Sequence, residues 1–171
     1  MTVPTVVLLA ATPLVAGGPA EAKTKTAHDP KKDAWAAVDI TRATFTNNGK
    51  YATARLKIAD LRWRGEFGLS LWTDDPEEGF LSVDLHAHRN HTIRVDCGVT
   101  SRGGSEKVDC SGITVRYRAK KDVVTFAVPR SRIPRISGHP GITFEASTIR
   151  WTHHGKRVGS TDGARRFVKH N

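Results

Sequence analysis

Hydrophobic and polar residues alternate along most of the chain with a period of two. Residues 41–46 alternate in this way, Asn48-Gly49 follows, and residues 51–58 resume the alternation. An Asn-Gly pair between two such runs is the strongest short signal for a β-hairpin. The pattern therefore predicts two adjacent strands, each with one face on a core and the other in water.

The same period returns in six further runs. They lie at residues 67–71, 81–87, 93–97, 113–117, 124–128 and 142–146. Turn residues separate the runs, and no segment shows a convincing helical period of 3.6 residues. The chain is therefore predicted to be all-β, with about eight strands in a single antiparallel β-sandwich. Jelly-roll and immunoglobulin-like topologies both remain open.

The N-terminal segment has a different character. Residues 6–16 form an apolar run, and Ala20-Glu21-Ala22 supplies the small-x-small pattern that signal peptidases recognise. No Lys or Arg precedes the run, although a signal peptide normally has a positive start. The alternative, a buried strand or helix, is opposed by the prolines and glycines of this segment. Residues 1–22 are predicted to be a signal peptide of a secreted, extracellular protein without a membrane span after cleavage.

Cleavage there divides the rest of the chain into three parts. Residues 23–33 are mostly Lys, Thr and Asp, which predicts a mobile basic leader. Residues 34–160 hold the alternating runs and form the predicted sandwich domain. Residues 161–171 carry no informative pattern and are taken as a basic tail.

Composition narrows the function further. The 171 residues include 27 Lys and Arg against 17 Asp and Glu, a formal net charge of +10. With 38% hydrophobic residues the chain can bury a core, which excludes a disordered polyelectrolyte. Two cysteines exclude a disulfide-dense miniprotein. In an oxidising compartment Cys97 and Cys110, each preceded by Val-Asp, are expected to form a disulfide; a catalytic cysteine is the less economical alternative.

Basic side chains fall on the polar phase of several predicted strands, namely Arg55, Lys57, Arg94, Arg116 and Arg118. If those strands are neighbours, one sheet face is cationic and gathers a polyanion. The alternative is a solvated face that only aids solubility. Trp63 and Trp151 add rings that could stack on sugars or bases, so they join the candidate ligand-binding residues.

Two further clusters suggest metals. His86, His88 and His91 would share one face if Arg89-Asn90 were a two-residue turn, and three imidazoles suit Zn²⁺ or Cu²⁺. The alternative is a polar surface rich in histidine. The acidic turn at residues 74–78 offers oxygen ligands for Ca²⁺ or a glycosidase carboxylate pair, against a plain charged turn.

The order of these features resembles secreted actinobacterial sandwiches of the DOMON and carbohydrate-binding-module-9 type. The resemblance runs over residues 39–150 and rests on Leu71-Trp72-Thr73-Asp74 before the acidic turn and on residues 122–130. It implies sugar or haem as ligand classes, with an axial Met or His for haem. The sole methionine is Met1, which excludes Met-ligated haem.

Together these observations predict a secreted, non-enzymatic binding module for a carbohydrate or an anionic surface polymer, with nucleic acid as a nonspecific partner. No Gly-rich phosphate loop or nucleophile elbow stands in the sequence. The alternative is a histidine-dependent Zn or Cu metalloprotein, either a carrier or a hydrolase.

Overall fold

A computed structural model describes residues 22–29, 34–72, 79–133, 141–151 and 157–169. These residues form eleven β-strands. The strands are β1 (Lys23–His28), β2 (Ile40–Asn47), β3 (Tyr51–Ile58), β4 (Gly65–Trp72), β5 (Phe80–Ala87), β6 (Ile93–Ser101), β7 (Gly104–Val108), β8 (Thr114–Arg118), β9 (Val123–Pro129), β10 (Gly141–Trp151) and β11 (Arg157–Lys169). Short 3-10 turns at Ala119–Lys121 and Arg130–Arg132 flank β9. Within these ranges no helix is long and apolar enough to cross a membrane.

The strands build two antiparallel sheets that pack face to face. Sheet A has five strands in the order β1-β2-β3-β9-β8, and sheet B has six in the order β11-β10-β4-β5-β6-β7. The predicted all-β sandwich is therefore confirmed. Each of the eight alternating runs corresponds to a strand: β2 to β6 and β8 to β10.

Three strands that the alternation does not reveal lie at sheet edges: β1, β7 and β11. In β1 only Ala27 is buried, and β7 is exposed except for its last residue. A strand that buries almost nothing needs no alternation of hydrophobic residues. The expected mobile leader at residues 23–33 is therefore wrong for Lys23–His28, which pair with β2. The expected tail at residues 161–171 is wrong for residues 161–169, which belong to β11.

Large aromatic and aliphatic side chains fill the space between the sheets. Phe45 of sheet A and Phe144 of sheet B are both fully buried, with ring centroids 5.2 Å apart. Two buried polar contacts also tie distant segments together. The Asn47 amide donates to the Val168 carbonyl at 3.2 Å, and the Thr148 hydroxyl donates to the Val38 carbonyl at 2.5 Å.

The predicted disulfide is present. Cys97 on β6 is bonded to Cys110, with Cα atoms 5.5 Å apart. Cys97 is almost fully buried, and Cys110 lies in the connection from β7 to β8. The bond therefore links sheet B to the segment through which the chain crosses to sheet A.

Candidate functional site

The outer surface of sheet A brings together four of the predicted basic residues. Arg55 and Lys57 on β3 and Arg116 and Arg118 on β8 are all exposed. Strand β9 lies between the two pairs, where Thr125 is the partner of both Arg55 and Arg116. Val123 similarly separates Lys57 from Arg118. Adding Arg42 and His28, which the sequence argument overlooked, completes what we call the cationic face.

A bulge in β2 positions part of this surface. The pairing with β3 shifts between Ile40 and Arg42, which leaves Arg42 opposite Lys57. Beside the bulge is an open depression of about 460 Å³. It is lined by His28, Thr41, Arg42, Thr44, Arg55 and Lys57. Arg42 lies on the polar phase of the run at residues 41–46, so the alternation alone indicates that it faces outward. No such indication exists for His28, because the residues of β1 do not alternate.

The charges of the two sheets are segregated. The strands of sheet A contain seven Lys and Arg residues and no Asp or Glu. The strands of sheet B contain seven Lys and Arg residues and six Asp and Glu residues. Both sheets therefore hold cations, but only those of sheet A are without interspersed acids.

One acid does approach the cationic face from a turn. Asp122, in the left-handed region with φ of 52°, accepts from the Lys57 amino group at 3.2 Å and from the Leu61 amide at 3.1 Å. The hydrogen bond from Lys57 lowers the pKa of Asp122. Lys57 is thereby held in place. Arg42, Arg55, Arg116 and Arg118 have no acidic partner within the described ranges.

Arg94 does not belong to this surface. It lies on β6 of sheet B, where its Nε is 2.9 Å from Asp96 Oδ2. Lys107 Nζ lies 3.0 Å from the other oxygen of the same carboxylate. Hydrogen bonds from Arg94 first and Lys107 second lower the pKa of Asp96. The predicted single set of basic residues is therefore divided between two sheets, since sequence alternation assigns a phase but not a sheet.

The paired carboxylates predict how stability varies with acidity. The pKa values of Asp96, Asp109 and Asp122 are all lowered in the folded protein. Their stabilisation is complete above the unfolded carboxyl pKa of about 4 and is lost as pH falls through the lower folded values. We expect the urea midpoint to decline as pH is lowered below about 4. Asp96→Asn should show a smaller decline, and a midpoint independent of pH would contradict this assignment.

The turn after β5 does not place His91 opposite His88, as the predicted histidine cluster required. The His88 amide donates to the Thr92 carbonyl at 3.0 Å, so Thr92 and not His91 pairs with His88. His91 instead adopts a left-handed conformation with φ of 64°. The two-residue turn is thus wrong, because a three-residue loop with a left-handed last residue closes the hairpin. No group of three or more potential metal ligands was found in the described part of the chain. The metal site stays a prediction.

Each histidine has other neighbours. His86 lies between two carboxylates, with Nδ1 3.6 Å from Glu66 Oε2 and Nε2 3.4 Å from Asp96 Oδ2. The His91 ring lies 5.1 Å from Trp63, measured between centroids. His88 is exposed beyond the end of β5.

Of the two tryptophans predicted to bind ligand, the structure describes the side chain of Trp63 only. Trp63 is half-buried between the His91 ring and the Tyr117 ring, the latter 4.7 Å away. The Tyr117 hydroxyl donates to the Arg62 carbonyl, and burial raises the pKa of Tyr117. Trp63 therefore helps to close one end of the sandwich. The side chain of Trp151 and the acidic turn at residues 74–78 lie outside the described residues, as does the predicted signal segment at residues 1–21.

Comparison with known proteins adds no assignment. The chain matches no family model and no curated protein. The fold and the site thus define the protein as a two-sheet antiparallel β-sandwich with one cationic outer surface.

Proposed function

We propose that the protein is a secreted, non-enzymatic module that binds an anionic surface polymer on its cationic face. The observation that carries this proposal is the absence of acids from all five strands of sheet A, together with the five basic residues on their outer side: Arg42, Arg55, Lys57, Arg116 and Arg118. Cations without interspersed acids create a positive potential over the whole surface. The disulfide supports secretion, since such bonds persist in oxidising compartments.

The basic side chains are spread across strands and not along one strand. From Arg42 on β2 to Arg118 on β8 the surface crosses four strands, which spans about 14 Å at the usual strand spacing. An extended polymer lying across the strands would meet several cations in succession. Outward threonines, including Thr44 and Thr125, stand between the cations and can donate hydrogen bonds to anionic oxygens.

The surface is poor in aromatic rings. Tyr51 is exposed on the same side of β3, but it is six residues from Lys57, about 20 Å along the strand. Single-stranded nucleic acids are bound by stacking their bases on aromatic side chains. The face therefore suits a polymer recognised by its charge, and nucleic acid fits only as a nonspecific partner.

Salt dependence tests the proposal. We expect binding of poly(glycerol phosphate) and of dextran sulfate to weaken steeply with salt, because each neutralised anion releases counterions. Replacing both Arg116 and Arg118 with Ser should weaken binding about tenfold at low salt. It should also reduce the magnitude of the slope of log K against log salt by about 1.4 to 1.8, because two cations are lost. Titrations monitored by calorimetry at several salt concentrations measure both effects.

A matched control is available on the other sheet. Replacing Arg94 and Lys107 with Ser removes the same number of charges from exposed positions beside Asp96. That variant should retain most of the affinity and an almost unchanged slope. An equal loss in both double variants would mean that net charge, and not the cationic face, accounts for binding.

A further inference from the structure

The outer surface of sheet B holds a second depression with different chemistry. It has a volume of about 400 Å³. It is lined by Ser70, Trp72, Gly79, Phe80, Glu145 and Arg165. Strands β4, β5, β10 and β11 contribute to it. Ser70 and Trp72 occupy the side of β4 opposite the buried Leu69 and Leu71, so the depression faces away from sheet A. Nothing in the cationic-face proposal uses any of these residues.

Aromatic side chains provide one part of this depression. Trp72 is half-buried, and Phe80 meets it edge to face with ring centroids 6.4 Å apart. The guanidinium carbon of Arg165 lies 4.7 Å from the centroid of the Trp72 ring. This cation–π contact holds the planar guanidinium beside the rings.

Polar groups provide the other part. In the strand register, Glu145 lies opposite Arg165 on β11 and opposite Ser70 on β4. The Arg165 guanidinium nevertheless contacts Trp72, and the Glu145 carboxylate has no hydrogen bond or ion pair with any residue in the described ranges. The depression therefore presents carboxylate acceptors and guanidinium donors side by side, next to exposed aromatic carbon.

A row of small residues leads away from the depression. Ser70 pairs with Ser82 on β5, and Ser82 pairs with Gly98 on β6. A Cβ atom on Gly98 would lie 3.2 Å from the Ser82 hydroxyl, so these two residues are closely packed. Neither has a side chain that extends far above the sheet. Ser70, Ser82 and Gly98 therefore form a row of small residues across β4, β5 and β6, which we call the trough.

We propose that this surface binds an uncharged glycan chain. One pyranose ring would pack against Trp72 and Phe80, because aromatic rings present an apolar surface to the C–H groups of a sugar. Its hydroxyls would donate to Glu145 and accept from Arg165, since a carboxylate only accepts and a guanidinium only donates. The chain would continue along the trough over Ser82 and Gly98.

Charges of both signs lie along this surface, so it does not select a polyanion. Asp96 is paired with both Arg94 and Lys107, and Lys107 lies opposite Gly98 at the end of the trough. Arg165 balances Glu145 at the depression itself, so the site singles out neither an anion nor a cation. The protein would then carry two sites for two chemical classes on opposite sheets.

Binding of uncharged hexasaccharides to the disulfide-bonded chain tests the inference. Cellohexaose, xylohexaose, mannohexaose and N-acetylchitohexaose are titrated while tryptophan fluorescence and heat are recorded. We expect at least one of them to bind with a millimolar or lower Kd. That Kd should change less than about twofold between 50 and 200 mM salt. Trp72→Ala should weaken that binding about tenfold. Trp63→Ala, which removes a tryptophan at the other end of the sandwich, should leave it unchanged.

Other variants guard against a folding artefact. Trp72 is half-buried, so Glu145→Gln and Arg165→Gln replace exposed groups and should each weaken binding by about threefold to tenfold. The double variant Arg116→Ser, Arg118→Ser should bind the glycan normally. Binding of none of the four probes would overturn the inference. It would also be overturned if binding survived all three variants at the depression, or if it were lost with salt and in the arginine double variant.

Discussion

Phe45→Ala is expected to lower the free energy of unfolding by about 3 to 5 kcal/mol. Phe45 is fully buried on sheet A, and its ring meets that of Phe144 on sheet B. Removing the ring forfeits its burial and leaves a cavity between two sheets that cannot collapse independently. The change therefore weakens the contact that joins the sheets. Equilibrium denaturation in urea measures the loss.

Tyr51→Ala is the matched control for that experiment. Tyr51 is another aromatic residue of sheet A, but it is 43% exposed at the start of β3. Its removal should cost about 1 kcal/mol or less. If Phe45→Ala cost no more than this control, the two sheets would not share the core described above.

Removal of the disulfide is expected to have the second largest effect. Cys97 and Cys110 are 13 residues apart, and closing a loop of that length restricts the unfolded chain by about 3 kcal/mol in the chain-entropy account. Replacing both with Ala should lower the free energy of unfolding by about that amount. The loss should appear in urea denaturation as a lower midpoint.

Chemical reduction provides the comparison. The wild-type chain with its thiols reduced and alkylated should lose stability in the same range, whereas reductant should leave the double Ala variant unchanged. Intact mass of the oxidised protein should also show no alkylation. Two titratable thiols in the folded protein, or equal stability of the oxidised and reduced chains, would show that the bond has no part in stability.

The two proposed ligand surfaces use one structural property. Adjacent residues of a strand point to opposite sides of a sheet, so the inner positions of both sheets can form one apolar core. The outer positions are then free to differ in chemistry. On sheet A they carry cations and threonines, and on sheet B they carry acids mixed with cations, serines and the Trp72 ring. The variants designed to test ligand binding use this separation, because each of them changes one outer surface and leaves the core between the sheets intact.

Local sequence pattern was sufficient for the fold class. The apolar phase of most alternating runs is the buried phase in the structure, as Ala52, Ala54, Leu56 and Ile58 of β3 illustrate. The run at residues 93–97 is an exception at its start, because Ile93 is exposed. Burial of one face imposes that alternation, so the strands with the most burial were the easiest to predict. The paired cysteines were also evident, since their spacing suited a short loop. The edge strands β1 and β7 show no such alternation, because nearly all of their residues are exposed and exposed residues are under no such constraint.

Tertiary structure alone decided which polar phases share a surface. Arg94 has the same alternating context as Arg55 and Arg116, yet strand order places it on the opposite sheet beside Asp96. Likewise, one extra residue in the turn separates His91 from His88 and places it on Trp63. The depression at Trp72 combines residues far apart in the chain, Ser70 and Arg165 among them. Alternation specifies whether each side chain faces the core or the solvent. The hydrogen bonds between strands that are distant in sequence determine which outward side chains become neighbours.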